Sequence, residues 1–67
     1  MNAGDYVQII GGDHAGVYGR ISQVSKSTAL VFVNFATRDK GWGGQAIQRG
    51  NIIVLTRKQY FKAMLNG

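Results

Sequence analysis

Sixty-seven residues make one domain with a small core. The absence of cysteine excludes a disulfide framework or thiolate metal centre, and one histidine with three aspartates and no glutamate argues against any metal site built wholly from side chains. Eight Lys and Arg against three acidic residues give a net charge of +5 and a pI near 10.1, which favours a polyanionic partner, nucleic acid before acidic protein.

Through residue 55 the apolar residues recur with period two. Val7 and Ile9 alternate with Tyr6 and Gln8, predicting a strand over residues 5–10. After the glycine-rich GGDHAG, Val17, Gly19 and Ile21 line one face of a second strand, and Tyr18, Arg20 and Ser22 the other. KST (26–28) reads as a polar turn. ALVFVNF (29–35) is β-branched and aromatic without a breaker, the strongest strand signal in the chain. With Val31, Val33 and Phe35 inward, Leu30 and Phe32 point out and need cover.

The next stretch, ATRDKGWGG (36–44), combines charges with three glycines and predicts a loop. QAIQ (45–48) reads as a fourth strand with Ile47 inward. RGN (49–51) reads as a tight turn in which Gly50 or Asn51 takes a left-handed conformation. IIVL (52–55) reads as a fifth strand. The period then changes. Thr56 and Gln59 have capping-box spacing, and Tyr60, Phe61, Met64 and Leu65 recur at helical intervals, predicting a helix over 57–66. A helix so short needs tertiary support, and the exposed Leu30 and Phe32 are its expected seat. The expected whole is a single domain, 1–67, with a small all-β barrel over 4–55 and a C-terminal helix.

The glycines of the first loop admit two readings. A phosphate-cradling loop needs a Gly-Lys-Ser/Thr ending that leads into a helix. Here the loop carries Asp13 and no lysine, and it leads into a strand, so a hairpin is the better account. Gly4-Asp5, Val7, Ile9, Gly12, Gly16, Gly19, Ile21 and Val24 resemble the KOW motif, G-D-x-V-x-I-x-x-G-x-x-x-G-x-x-G-x-I-x-x-V. KOW modules occur in NusG-type transcription elongation factors and in ribosomal proteins. The resemblance implies a five-stranded SH3-like barrel and a setting in transcription or translation. It extends through the later strands to about residue 55. Asp13-His14 stands where the family often has proline-phenylalanine, and nothing resembling the N-terminal domain of NusG is present.

Six residues are candidates for a nucleic-acid site. Tyr18 and Arg20 share the outward face of the second strand, pairing a stacking ring with a phosphate-binding cation. Arg38, Lys40 and Trp42 share the loop RDKGWGG, where Trp42 offers a flat face for a base; alternatively it plugs an open barrel end. Arg49 adds charge in the following turn. His14 and Asp13 lack a second base or nucleophile nearby and read as a solvated loop. The expected function is therefore non-catalytic binding of RNA or DNA, without cofactor or metal. The alternative is a basic adaptor that docks on an acidic protein, such as a phage or mobile-element regulator. No apolar run approaches the ~20 residues of a membrane span, and a signal-peptide core is missing from the N-terminus, so a soluble, cytoplasmic protein without membrane contact is expected.

Overall fold

The computed structural model describes residues 1–37 and 41–66. Five strands, β1 (Tyr6–Ile9), β2 (Tyr18–Val24), β3 (Leu30–Thr37), β4 (Gly41–Gln48) and β5 (Ile52–Leu55), form one antiparallel sheet in the order β4-β3-β2-β1-β5. A single 3-10 turn, Arg49–Asn51, links β4 to β5, and the helix α1 spans Arg57–Asn66. The sheet rolls into a small SH3-like barrel with α1 appended. Its core consists of Val7, Ile9, Ile21, Val31, Val33, Phe35, Ile47 and Ile52, with Val17 and Val24 packed at its margin. These are the inward positions of each strand, as the alternation requires.

A bulge in β2 lets one strand serve both halves of the barrel. Ile21 pairs with Val33, but Gln23 pairs with Phe32, so Ser22 is an extra residue. Its hydroxyl donates to the Phe32 carbonyl at 3.2 Å. The insertion reverses the alternation, and Ile21 and Val24 both face the core although they lie three apart.

Two glycines of the first hairpin act through different physics. Gly16 has φ +93°, a conformation that side chains rarely adopt, and its N–H donates to the Ile9 carbonyl at 2.7 Å to close the loop. Gly19 is buried. A Cβ there would lie 2.6 Å from the Asn34 carbonyl oxygen and 2.8 Å from Val33 Cγ1. At Gly19 the constraint is space.

Two expectations about irregular segments are corrected. Residues 36–37 and 41–44 are strand and not loop, with Ala36 opposite Trp42 and Thr37 opposite Gly41. A ladder needs only backbone donors and acceptors, so β3 carries the glycine-rich segment along as its partner. Arg49–Asn51 is helical, and neither Gly50 nor Asn51 has positive φ. A 3-10 turn reverses direction within the ordinary right-handed region.

The capping box forms as expected. The Thr56 N–H donates to Gln59 Oε1 at 2.8 Å, and the Gln59 N–H donates to Thr56 Oγ1 at 3.0 Å. The helix docks elsewhere than expected, however, on β1 and β5. Tyr60 stacks on Tyr6 with centroids 4.4 Å apart and meets Tyr18 edge-on at 6.4 Å; Phe61 packs on Tyr6 at 5.7 Å. Phe32 remains 40% exposed. The connection explains the difference. Thr56 alone separates β5 from α1, and β5 lies beside β1 at the sheet edge remote from β4, so the helix falls on the nearest aromatic side chains.

Gly19→Val is expected to abolish folding or to cost several kcal/mol, because overpacking typically costs about 1–3 kcal/mol even where neighbours can move. Gly16→Ala should lower the melting temperature by roughly 4–16 °C, from a conformational cost of about 1–2 kcal/mol. Gly50→Ala, with nothing within 4 Å of the new Cβ and no positive φ, is the control and should melt like the parent. Thermal and urea denaturation distinguish the three.

Tyr60→Ala should cost about 1–3 kcal/mol and speed amide exchange throughout α1, while Phe32 and Leu30 keep their environment. A change confined to the resonances of β3 would place the helix on the wrong strands.

Candidate nucleic-acid interface

Strand pairing decides which candidate residues share a surface. Because Gly19 and Phe35 face the core, Tyr18, Arg20 and Ala36 face out, and Ala36 lies directly opposite Trp42. Arg20 pairs with Asn34, which pairs with Gly44; Phe32 pairs with Ala46. Extending the Arg20–Asn34 register by two residues sets Tyr18 across from Ala36. Tyr18, Ala36 and Trp42 then form one cross-strand row, and Arg20, Asn34 and Gly44 the next.

The result is a sheet face with a floor of small residues, Ala36, Gly44 and Ala46, and large side chains around it. Phe32, Tyr18 and Trp42 supply rings, and Arg20 supplies the charge. Trp42 is 60% exposed, so it does not plug the barrel. Among the described residues its ring has no aromatic or cationic neighbour.

Arg20 is held in place. Its Nε donates to the Gly4 carbonyl at 3.1 Å, and its guanidinium carbon stands 5.3 Å from the Tyr6 centroid. One donor is thereby used, and the terminal nitrogens remain for an anion on an exposed side chain. Tyr18 is half-buried against Tyr60, which limits it to presenting part of its ring.

Arg49 does not join this face. It lies in the 3-10 turn beyond the far end of β4, about 23 Å from Trp42 along a strand that rises roughly 3.3 Å per residue. Arg38 and Lys40 lie outside the described residues. Phe32, expected to be covered by the helix, belongs to the exposed surface; its outward parity was visible in the alternation, and only its cover was misassigned.

The first loop shows no sign of cradling phosphate. His14 packs its ring on Phe35, with centroids 5.0 Å apart, and so closes one end of the core instead of standing free in solvent. Beside it a cavity of about 250 Å³ separates the loop from β4, lined by Asp13, His14, Gln45, Gln48 and Asn51 among others. It contains a carboxylate and no cation, the wrong charge for a phosphate.

Residues 3–34 match the KOW motif. The chain carries a KOW motif. The match covers just under half of the chain, from the turn before β1 to Asn34 of β3. KOW motifs are associated with RNA binding and with translation and transcription factors, and KOW domains are typically non-catalytic. No curated protein matches the chain. No helix of the described residues is long and apolar enough to cross a membrane.

The KOW residues in this chain are structural. Val7, Ile9 and Ile21 are core, Val24 packs against it, and Gly16 and Gly19 shape the hairpin. Tyr18 and Arg20 occupy the motif's unspecified positions, and Trp42 lies beyond the matched segment. The motif therefore specifies the frame, and the side chains on the frame's outer face specify what it meets.

Arg20→Ala removes both the Gly4 contact and the stacking on Tyr6, and should cost about 1–2 kcal/mol of stability. Its melting temperature should fall, whereas Arg20→Lys should recover the charge without the bond to Gly4. Any binding loss that lysine restores is electrostatic; one that it does not restore reflects the fixed guanidinium.

Proposed function

We propose that this KOW domain is a non-catalytic binding module for single-stranded nucleic acid, acting in the cytoplasm in transcription or translation. The observation that carries this is the exposed ring of Trp42, without an aromatic or cationic neighbour among the described residues, set on a face that also presents Tyr18 and Arg20. A base stacks on a free aromatic face regardless of its identity, and neighbouring cations hold the backbone. Arg38 and Lys40 lie four and two residues before Trp42 in the sequence. The net charge of +5 supplies long-range attraction for any polyanion. Arg49, at the opposite end of β4, would contact a strand that runs the length of β4.

Such a module chooses its ligand by backbone and stacking, with little sequence preference, because among the described residues no cluster of amide or carboxylate side chains on this face is arranged to read base edges. Asn34 is the one amide near the centre of the row, beside Gly44, where its Oδ1 lies 2.9 Å from the place a Cβ would occupy.

Trp42→Ala is expected to weaken single-stranded RNA binding by about 1–3 kcal/mol, the usual worth of one stacked base. Lys40→Ala should weaken all sequences alike and reduce the slope of log affinity against log salt by about 1. Fluorescence titrations of homopolymer RNA and DNA at several salt concentrations separate the two effects. Unchanged affinity in both variants would refute the proposal.

A further inference from the structure

The outward side of α1 is chemically unlike the face just described. Tyr60 and Ala63 are the least exposed residues of the helix, and Phe61 beside them also packs on Tyr6. Along one flank of the helix Arg57, Phe61 and Leu65 recur every four residues, with Lys58 and Lys62 beside them. These five residues line an open cleft of about 640 Å³ whose walls are the Phe61 ring, the Leu65 side chain and the alkyl stems of the three cations. Phe61 is 44% exposed and Leu65 is 87% exposed, so accessible apolar surface stands beside the three cations.

We propose that this cleft docks an acidic amphipathic helix of a partner protein, independently of nucleic-acid binding on the sheet. Local charge complementarity identifies the occupant. Three cations surround two apolar side chains, and the described helix carries no acidic residue in its first turn. Arg57 and Lys58 sit at the positive end of the helix dipole, where cations are disfavoured, and carboxylates from a partner would relieve that repulsion. An apolar side chain seated in the cleft, flanked by Asp or Glu, satisfies both the apolar surface and the cations.

Other occupants suit the geometry less well. Nucleic acid would need a free ring, but the Arg57 guanidinium carbon stands 5.6 Å from the Phe61 centroid, and Tyr6 and Tyr60 both pack on the same ring at 5.7 Å. A second copy of the chain would oppose the same cations. A membrane would be met by a ten-residue helix that already spends one side on the barrel, which leaves little apolar area for insertion.

The test uses the full chain and a fluorescein-labelled synthetic helix with leucines along one face and glutamates on its flanks, beside a scrambled version of the same composition. The designed peptide should bind more tightly than the scrambled one and shift the amide resonances of residues 57–65. Leu65→Ser should weaken it by about tenfold, as should Lys58→Glu combined with Lys62→Glu, because each removes part of a small hot spot. These positions are exposed, so both variants should melt like the parent, and circular dichroism checks this. Trp42→Ala should leave peptide affinity unchanged, and Leu65→Ser should leave RNA affinity unchanged, so the two sites fail separately. Equal affinity for designed and scrambled peptides, or no binding of either, overturns the proposal. So does preferential perturbation of residues 57–65 by single-stranded RNA or phosphatidylglycerol vesicles, or self-association in sedimentation that Leu65→Ser abolishes.

Discussion

Phe35 is the largest side chain fully enclosed by the barrel, and β2 crosses it only because residue 19 has no side chain. A Cβ on Gly19 would come within 3.2 Å of Phe35 Cβ and closer still to Asn34 and Val33. This contact fixes more than packing. With Gly19 and Phe35 facing in, Tyr18, Arg20 and Ala36 must face out, and through Ala36 the pairing of β3 with β4 turns Trp42 outward too. A slip of one residue would exchange the two faces, burying the cation and exposing the core. The candidate surface is thus a consequence of how the core closes.

The aromatic residues divide into two populations with different duties. Tyr6 lies between Tyr60 on one side and the Arg20 guanidinium on another, and Phe61 is hemmed in by Tyr6, Tyr60 and Arg57. These rings hold the helix on the sheet. Trp42 and Phe32 project from the sheet without such neighbours among the described residues. A domain of this size holds only about 3–10 kcal/mol in total, so leaving a tryptophan exposed forgoes a large share of the stabilisation available. That imbalance between what holds the fold and what faces solvent is the strongest physical reason to read the sheet face as a site.

Most of the frame was legible in the sequence because its signals are local. The alternation Val31, Val33, Phe35 and the pair Val7, Ile9 name the inward faces directly, and Thr56 with Gln59 announces the helix start. What escaped depends on pairing. The glycines at 41, 43 and 44 look like a loop in isolation and become strand only because β3 offers them a ladder. The Ile21–Val24 spacing breaks period two, and only the bulge at Ser22 shows why. The seat of the helix was set by Tyr6 and Tyr18, whose outward positions were readable, but the choice between them and Phe32 depended on which strand the chain leaves last. Of the six candidate site residues, alternation gave the outward parity of Tyr18 and Arg20, while the separation of Arg49 from Trp42 followed from the length of β4, which the glycines had concealed.

The two candidate surfaces meet at one residue. Tyr60 faces the barrel from α1 and touches both Tyr6, beneath the helix, and Tyr18, at the edge of the sheet face. Tyr6 in turn carries Arg20, whose bond to Gly4 aims its remaining donors outward. The seat of the helix and the posture of the two candidate residues within the motif are therefore one packed unit, whereas Trp42 stands apart on β4. A ligand that draws on Tyr18 and Arg20 senses the docking of α1, and a ligand that draws on Trp42 alone does not. The contacts available to an energetic link between a partner on the helix and nucleic acid on the sheet are Tyr60–Tyr18 and, from Tyr60 or Phe61, Tyr6–Arg20, since a coupling requires a difference in what each ligand finds when the other is bound.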